Sequence, residues 1–293
     1  MIKRQTAGSV VCPECGRLVG VHDERCLHCG RRNPGLWGWG PALARLGGDF
    51  GFTQVVIGGC VALYLIALVL SPDGIQMGGD GLGALLGFLA PDVRANAFLG
   101  ASGALPVFGY GRWWTVLSAA WLHGGLLHIF FNLYWVRQMV PAVRSLYGLG
   151  RLLIIYTVAS ITGFGLTSLV FFLQLPGPLA GAQITLGASA PLFGLFGAVY
   201  LYGQRTGNRA LSSQMIQFLL FMLVFGLVMP GLDNWAHIGG FAGGYLCARA
   251  LHPLAPEQQQ HLLLGLLCLV ATVLAILASV LHGLRLGWPG ALG

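Results

Sequence analysis

Five polar side chains interrupt the apolar stretches of this chain, and their types are those used in nucleophilic catalysis. His123, His128 and Asn132 lie in one stretch, Ser189 begins another, and His237 lies in a third. A serine with a histidine as its general base can attack a carbonyl carbon, and nearby hydrogen-bond donors can stabilise the resulting oxyanion. Because polar groups in hydrocarbon are costly and usually functional, the pattern indicates a site inside a membrane domain.

Ser189 lies where a loop enters a helical stretch, in Gly187-Ala188-Ser189-Ala190-Pro191. Pro191 suits a first helical turn, where the N–H that proline lacks would have no partner. Ser189 is therefore predicted at or near the N-cap, where a serine can simply cap the helix. The same position leaves backbone N–H groups beside the hydroxyl, which suits a nucleophile. Position alone leaves both interpretations open.

His237 lies in a glycine-rich stretch whose small residues would let two membrane helices approach closely. The glycines four residues apart are Gly239 with Gly243 and Gly240 with Gly244, and the stretch that begins at Ser189 has Gly187, Gly194 and Gly197. Close approach is what a serine and a histidine on separate helices need to share a hydrogen bond. A histidine satisfied by a backbone carbonyl is the structural alternative.

The remaining polar residues each have a catalytic and a structural interpretation. His128 and Asn132 are four apart, so they share a helix face as oxyanion donors or as a clamp between helices. For His123 we favour a structural role nearer the surface. Asp233 could orient His237 as a triad acid, but its place at the helix start favours an N-cap. We therefore expect a Ser-His dyad.

Composition points to a membrane protein. Only 9% of the 293 residues are charged and 56% are apolar, against about 25% charged residues in soluble domains. The net charge of +7 comes without a basic cluster interleaved with aromatic residues, which argues against nucleic-acid binding. No cleavable signal peptide is predicted, because the first 50 residues lack an apolar core.

Seven apolar stretches are predicted to be transmembrane helices. They cover residues 53–70, 119–139, 152–173, 189–202, 215–229, 234–251 and 261–281. With a cytoplasmic amino terminus, 13 of the 16 Lys and Arg lie in cytoplasmic segments, in agreement with the positive-inside rule. The three on the outer side of the membrane are Arg94, Arg112 and Arg285. The second, fourth and sixth stretches then start on the outer side. Their polar residues lie at similar depth, which is the main argument for one site.

Three motifs together resemble the rhomboid family of intramembrane serine proteases. Residues 123–132 resemble its His-x4-His-x3-Asn motif, residues 187–189 its Gly-x-Ser-Gly motif, and residues 236–244 its Ala-His-x-x-Gly-x-x-x-Gly motif. The resemblance covers residues 52–250. It implies Ser189 as nucleophile, His237 as general base, and an oxyanion hole formed by His128, Asn132 and the Ser189 N–H. Substrates would be membrane proteins cut near the outer end of a transmembrane helix.

The sequence departs from the family pattern at three positions. Ala190 takes the place of a glycine, and Phe193 takes the place of a tyrosine that often stacks on the histidine. Thr115 takes the place of an arginine in the family's Trp-Arg loop element, which questions how that loop is anchored. The seventh stretch is an addition to the six-helix core.

Four cysteines near the amino terminus predict a zinc site. Two Cys-x-x-Cys pairs ten residues apart supply the thiolates that tetrahedral zinc prefers: Cys12, Cys15, Cys26 and Cys29. Disulfides are the alternative, which a cytoplasmic location disfavours. The segment resembles short zinc ribbons and is expected to serve folding or recognition of a cytoplasmic partner. Catalysis itself is expected to need no cofactor.

The sequence therefore predicts an all-α polytopic membrane protein: a rhomboid-like six-helix bundle with a seventh C-terminal helix, preceded by a zinc ribbon. The expected segments are a ribbon in 1–35, a linker in 36–51, the catalytic domain in 52–251 and the added helix with its tail in 252–293. The expected location is a bacterial inner membrane, in contact with the bilayer and transmembrane substrates.

Three other functions would each be expected to have a different set of residues. A catalytically inactive relative that binds membrane helices would be expected to lack Ser189 or His237, and both are present. A transporter or metal-handling protein predicts acidic residues within the spans, and there are none. A membrane metalloprotease would need His-Glu-x-x-His, which the sequence does not contain.

Overall fold

The computed structural model describes residues 4–13, 15–39, 51–71, 74–77, 87–229 and 231–285. The chain divides into two compact units, Met1–Phe52 and Thr53–Gly293. Much of the predicted linker, residues 40–50, lies outside the described residues, as does the predicted tail from residue 286.

The first unit is a small ribbon built on two antiparallel strands, β1 (Ser9–Val11) and β2 (Leu18–Gly20). Val10 pairs with Val19, and both are buried together with Cys12 and Cys26. So small an apolar core is insufficient for most folds of this size, so a further source of stability is needed.

The second unit is helical. Its helices are α1 (Phe52–Val69), α2 (Val93–Leu99), α3 (Thr115–Ser118), α4 (Leu126–Tyr147), α5 (Leu149–Val170), α6 (Ser189–Thr206), α7 (Arg209–Val228), α8 (Asn234–Ala250) and α9 (Gln259–Arg285). A short hairpin, β3 (Gln76–Met77) with β4 (Phe88–Ala90), precedes α2. Among the residues that the structure describes, seven of these nine helices are long, which confirms the predicted all-α architecture.

Four of these helices are long and apolar enough to cross a membrane by themselves: α1, α5, α7 and α9. A fifth candidate is α4 taken with the turns before it, from which it is bent by 94°. The helices α6 and α8 do not meet that test alone, since they are short and rich in small residues. Most of α6 is buried among the other helices, whereas α8 is buried on its glycine face and exposed at Leu246.

The second predicted span needs a correction. Residues 119–139 do not form one helix, because a turn at Ala119–Trp121 ends in extended backbone at Leu122. Gly125 is extended as well, and α4 begins only after it and continues to Tyr147. His123, Gly124 and Gly125 interrupt the apolar residues at this break, but the two pieces taken together remain apolar enough to be read as one span.

Helices α5, α6 and α8 form the centre of the bundle through backbone contacts at glycines. A Cβ added at Gly240 would meet the carbonyl oxygen of Ala190, and one at Gly244 would meet that of Gly194. On the other face of α8, a Cβ at Gly239 would lie 2.6 Å from the carbonyl oxygen of Thr162 in α5. The predicted close approach of the serine and histidine helices is confirmed.

Candidate active site

Ser189 is the first residue of α6. The cap position belongs to Ala188, which makes no side-chain capping bond, and Pro191 lies in the first turn as predicted. Gly187 has a φ of 129°, a conformation that favours glycine, and it turns the loop into the helix. Within the described part of the chain, the Ser189 hydroxyl makes no hydrogen bond, so the capping interpretation gains no support.

His237 lies one turn inside α8 and is almost fully buried. Its ring stacks on Phe193 of α6, with centroids 4.2 Å apart and planes 13° apart. Asp233 is the N-cap, accepting from the Ala236 N–H at 3.0 Å, which confirms the capping interpretation. His237 Nδ1 has no hydrogen-bond partner among the described residues, so its orientation depends on the stacking.

One cavity of about 480 Å³ brings three of the predicted residues together. Ser189, His237 and His128 all line it, each from a different long helix. Its other walls include Val93 and Asn96 of α2 and the loop residues Ala180, Ala182, Ile184, Thr185 and Leu186. No hydrogen bond between Ser189 and His237 is recorded in the described ranges. Such bonds are often long in a resting enzyme and tighten when substrate binds.

The hydrogen bonding of His128 fixes its tautomer. Its Nδ1 accepts from the Gly124 N–H at 3.3 Å, so in the neutral ring Nε2 carries the proton. That Nε2 lies beside Gly187: a Cβ built there would be 2.7 Å from it and 3.7 Å from Ser189 Oγ. A donor therefore faces the same small region as the hydroxyl.

Asn132 and His123 are placed differently from these three. The Asn132 Nδ2 donates to the His128 carbonyl at 2.9 Å, and the residue is absent from the cavity lining. Its predicted role as an oxyanion donor stays a prediction and would use its second N–H or a rotated side chain. His123 is fully buried in the break before α4, with its ring edge-on to His128 at 5.2 Å.

The four amino-terminal cysteines cluster as predicted, with their sulfur atoms all within 4.8 Å of one another. The Sγ atoms of Cys12 and Cys29 are 3.7 Å apart, and those of Cys15 and Cys26 are 3.6 Å apart. These separations exceed a disulfide bond of about 2.05 Å. They match the edge of about 3.8 Å expected for a tetrahedron with ~2.3 Å metal–sulfur bonds.

Backbone amides support a thiolate at Cys26, whereas burial and the neighbouring thiols raise the pKa of Cys29 to about 12. Hydrogen bonds from the backbone of Cys29 and His28 lower the pKa of the Cys26 thiol to about 7. A lowered pKa favours the form that binds metals. Gly16 and Gly30, each with a positive φ, donate from their N–H to the carbonyls of Cys12 and Cys26 and close the two turns.

Comparison with known proteins gives the kind of domain. Residues 110–254, about half of the chain, match the Rhomboid domain. The chain contains a Rhomboid domain. It is similar to "Rhomboid protease GluP" of Bacillus subtilis (strain 168), at 36% identity over 176 residues, which is 59% of this chain and 32% of that protein.

Two other relatives match at lower identity. "RHOMBOID-like protein 4" of Arabidopsis thaliana is 30% identical over 64% of this chain and 48% of its own length. "Putative rhomboid protease YdcA" of Bacillus subtilis (strain 168) is 29% identical over 46% of this chain and 66% of its own length. The chain thus spans between about a third and two thirds of these rhomboid relatives.

Two departures from the rhomboid pattern are accommodated locally. Phe193 keeps the stacking on His237 that the family's tyrosine often provides. The methyl group of Ala190 lies against Gly163 of α5, where a Cβ would be only 2.8 Å from it. The family pattern has a glycine at position 190. Here the absence of a side chain at Gly163 leaves room for the methyl group of Ala190.

The third departure from the rhomboid pattern, Thr115, lies beside a buried residue to which the sequence assigns no structural role. Thr115 is buried, and its hydroxyl donates to the Arg112 carbonyl at 2.8 Å. Arg112, three residues earlier, is itself buried and donates to the carbonyl of Ala97 at 2.8 Å. The positive-inside rule treats Arg112 only as a charge outside the membrane and does not predict these contacts. The sequence signal for them is a single arginine beside Trp113 and Trp114.

Proposed function

We propose that this protein is an active intramembrane serine endopeptidase. The observation that carries the proposal is the shared cavity, in which Ser189, His237 and His128 meet from three helices. The stacking of Phe193 orients the histidine, and the protonated Nε2 of His128 faces the region of the hydroxyl. The names of the relatives GluP and YdcA both include the word protease, with YdcA called putative.

In the proposed reaction, His237 accepts the proton of Ser189 as Oγ attacks the scissile carbonyl carbon. The backbone N–H of Ser189 and the His128 Nε2–H stabilise the oxyanion, with Asn132 as a further predicted donor. Protonated His237 then gives its proton to the leaving amine, and the C–N bond breaks. Water then attacks the acyl carbon as His237 takes its proton. The bond from that carbon to Oγ breaks, and His237 returns the proton to Ser189 Oγ.

The proposed substrates are other transmembrane proteins, cut near the extracytoplasmic end of a helix with locally unstable structure. Such a helix is favoured because a backbone held in helical hydrogen bonds hides its carbonyl groups from a nucleophile. The amino terminus is proposed to lie in the cytoplasm, as the distribution of Lys and Arg favours.

Zinc is the ion proposed for the ribbon. Four cysteine sulfurs at tetrahedral spacing suit Zn²⁺, which would be held by Cys12, Cys15, Cys26 and Cys29. Bound zinc would supply folding energy to a segment with few buried apolar residues, and it takes no part in the proteolysis.

Labelling with a fluorophosphonate tests the nucleophile. The purified protein in detergent should be labelled once, at Ser189, and Ser189→Ala should abolish the label. Ser213→Ala, at an exposed serine of α7, is the matched control and should label like the wild type. A folded wild-type protein that takes no label would instead favour the inactive, helix-binding alternative.

A further inference from the structure

A buried arginine links the added helix α9 to the wall of the cavity. Arg112 is only 3% exposed, and its guanidinium donates to the carbonyl of Ala97 at 2.8 Å and that of Phe98 at 3.5 Å. These two carbonyls belong to the last turn of α2, where carbonyl groups carry partial negative charge, and that of Ala97 also accepts from the Gly100 N–H at 3.2 Å. A third bond goes to the carbonyl of Ser279 in α9, at 3.3 Å.

Side chains around Arg112 extend this link. The Trp114 indole donates from Nε1 to Ser279 Oγ at 3.1 Å, and its ring packs on His282 with centroids 5.8 Å apart. Gly283 lies so close to the Phe98 ring that a Cβ added there would overlap it. Helix α9 therefore contacts α2 and the loop after it through both hydrogen bonds and packing.

The helix held in this way is part of the cavity. Val93 and Asn96, both on α2, line the same cavity as Ser189 and His237. Because α2 has only seven residues, its own hydrogen bonds fix its position poorly. The guanidinium therefore ties the last turn of α2 to α9, in addition to the apolar packing of Phe98 and Leu99.

We propose that Arg112 is a positioning residue and that α9 is a brace, which together hold α2 as one wall of the substrate cavity. The expected effect on cleavage rests on the proposed proteolysis, whereas the expected effect on the position of α2 does not. Arginine is required because a planar fork of five donors can reach three carbonyls at once, whereas a lysine ammonium is a point donor on a flexible stem.

Hydrogen–deuterium exchange of the full chain in detergent tests the brace. In Arg112→Ala, the amides of residues 93–101 should exchange roughly tenfold faster, while those of α5 and α8 keep wild-type rates. Gly283→Val should act in the same direction by pushing α9 from Phe98. Arg285→Ala, at an exposed arginine of α9, and Gly165→Val, where an added Cβ meets nothing within 4 Å, are the matched controls.

Cleavage kinetics of a transmembrane substrate supply the second measurement. Arg112→Ala should raise KM and lower kcat/KM by roughly tenfold, because the wall that orients the substrate is displaced. Arg112→Lys should recover only part of this loss. Unchanged exchange of residues 93–101 in Arg112→Ala, or faster exchange spread equally over α5 and α8, would overturn the brace. An inactive wild type with the expected exchange pattern would refute the proteolysis and leave the brace standing.

Discussion

The phenyl ring of Phe193 lies parallel to the imidazole of His237, with centroids 4.2 Å apart and an angle of 13° between the planes. This pair joins α6, which begins at Ser189, to α8, which carries His237, the proposed general base. Because His237 Nδ1 has no hydrogen-bond partner among the described residues, stacking is the contact that orients the ring.

Removing the stacked ring should therefore slow the chemistry. Phe193→Ala is expected to reduce the rate of fluorophosphonate labelling by about tenfold, since aromatic pairs contribute roughly 0.5–1.5 kcal/mol beyond burial. It should also lower the melting temperature, because a buried phenyl ring is lost. Phe193→Tyr keeps the stack and should label at nearly the wild-type rate. Equal rates for Phe193→Ala and the wild type would show that the stack does not orient the base.

Filling the contact between α6 and α8 should separate the dyad. In Gly240→Val the new side chain would overlap the Ala190 carbonyl, so the helices must move apart. Overpacking costs about 1–3 kcal/mol of stability, and a displacement of 1 Å at the site costs about 10²-fold in rate. Gly58→Val, where an added Cβ meets nothing within 4 Å, should leave both thermal stability and labelling unchanged. Normal labelling of Gly240→Val would contradict the close-packing argument.

The oxyanion donors should be distinguishable by their kinetics. His128→Ala is expected to lower kcat by about 10²–10³-fold with little change in KM, as for the loss of a preorganised donor. Asn132→Ala should lower kcat less, because its Nδ2 donates to the His128 carbonyl and not into the cavity. Measured kcat and KM for both variants test this order. A larger effect at Asn132 would mean that its amide rotates into the oxyanion hole.

Metal removal should affect the ribbon alone. The purified chain is expected to contain about one zinc ion, as a four-cysteine site requires. A strong chelator, or Cys29→Ser, should make the amides of residues 9–33 exchange faster because zinc binding and folding of such a unit are coupled. Labelling of Ser189 should not change. A protein that holds no zinc and resists thiol alkylation until reduced would favour disulfides instead.

The central helices could be predicted because their signals are local. Apolar length locates the long helices, and the spacing of Gly240 and Gly244 is itself the reason that α8 lies against α6. Ser189 and His237 could be assigned to one cavity because both begin helices that start on the same side. Each of these signals lies within the sequence of a single helix.

The remaining features depend on contacts between distant parts of the chain. Arg112 and Ser279 are 167 positions apart, so the loop sequence cannot show which distant carbonyl the guanidinium reaches. The break before α4 lies at His123, Gly124 and Gly125, and these three residues are too few to lower the hydropathy of the whole stretch below that of a span. The direction of the Asn132 amide is a rotamer choice that its spacing from His128 does not determine.

Cleavage in a bilayer tests the central claim most directly. The wild-type chain would be reconstituted in liposomes with a reporter whose single transmembrane helix is weakened by Gly and Pro near its outer end, and the products would be analysed by mass spectrometry. The account predicts one cut within or beside that segment, and no cut with Ser189→Ala or with His237→Ala. Cleavage that persists in Ser189→Ala, or a wild type that leaves every such reporter intact, would contradict it.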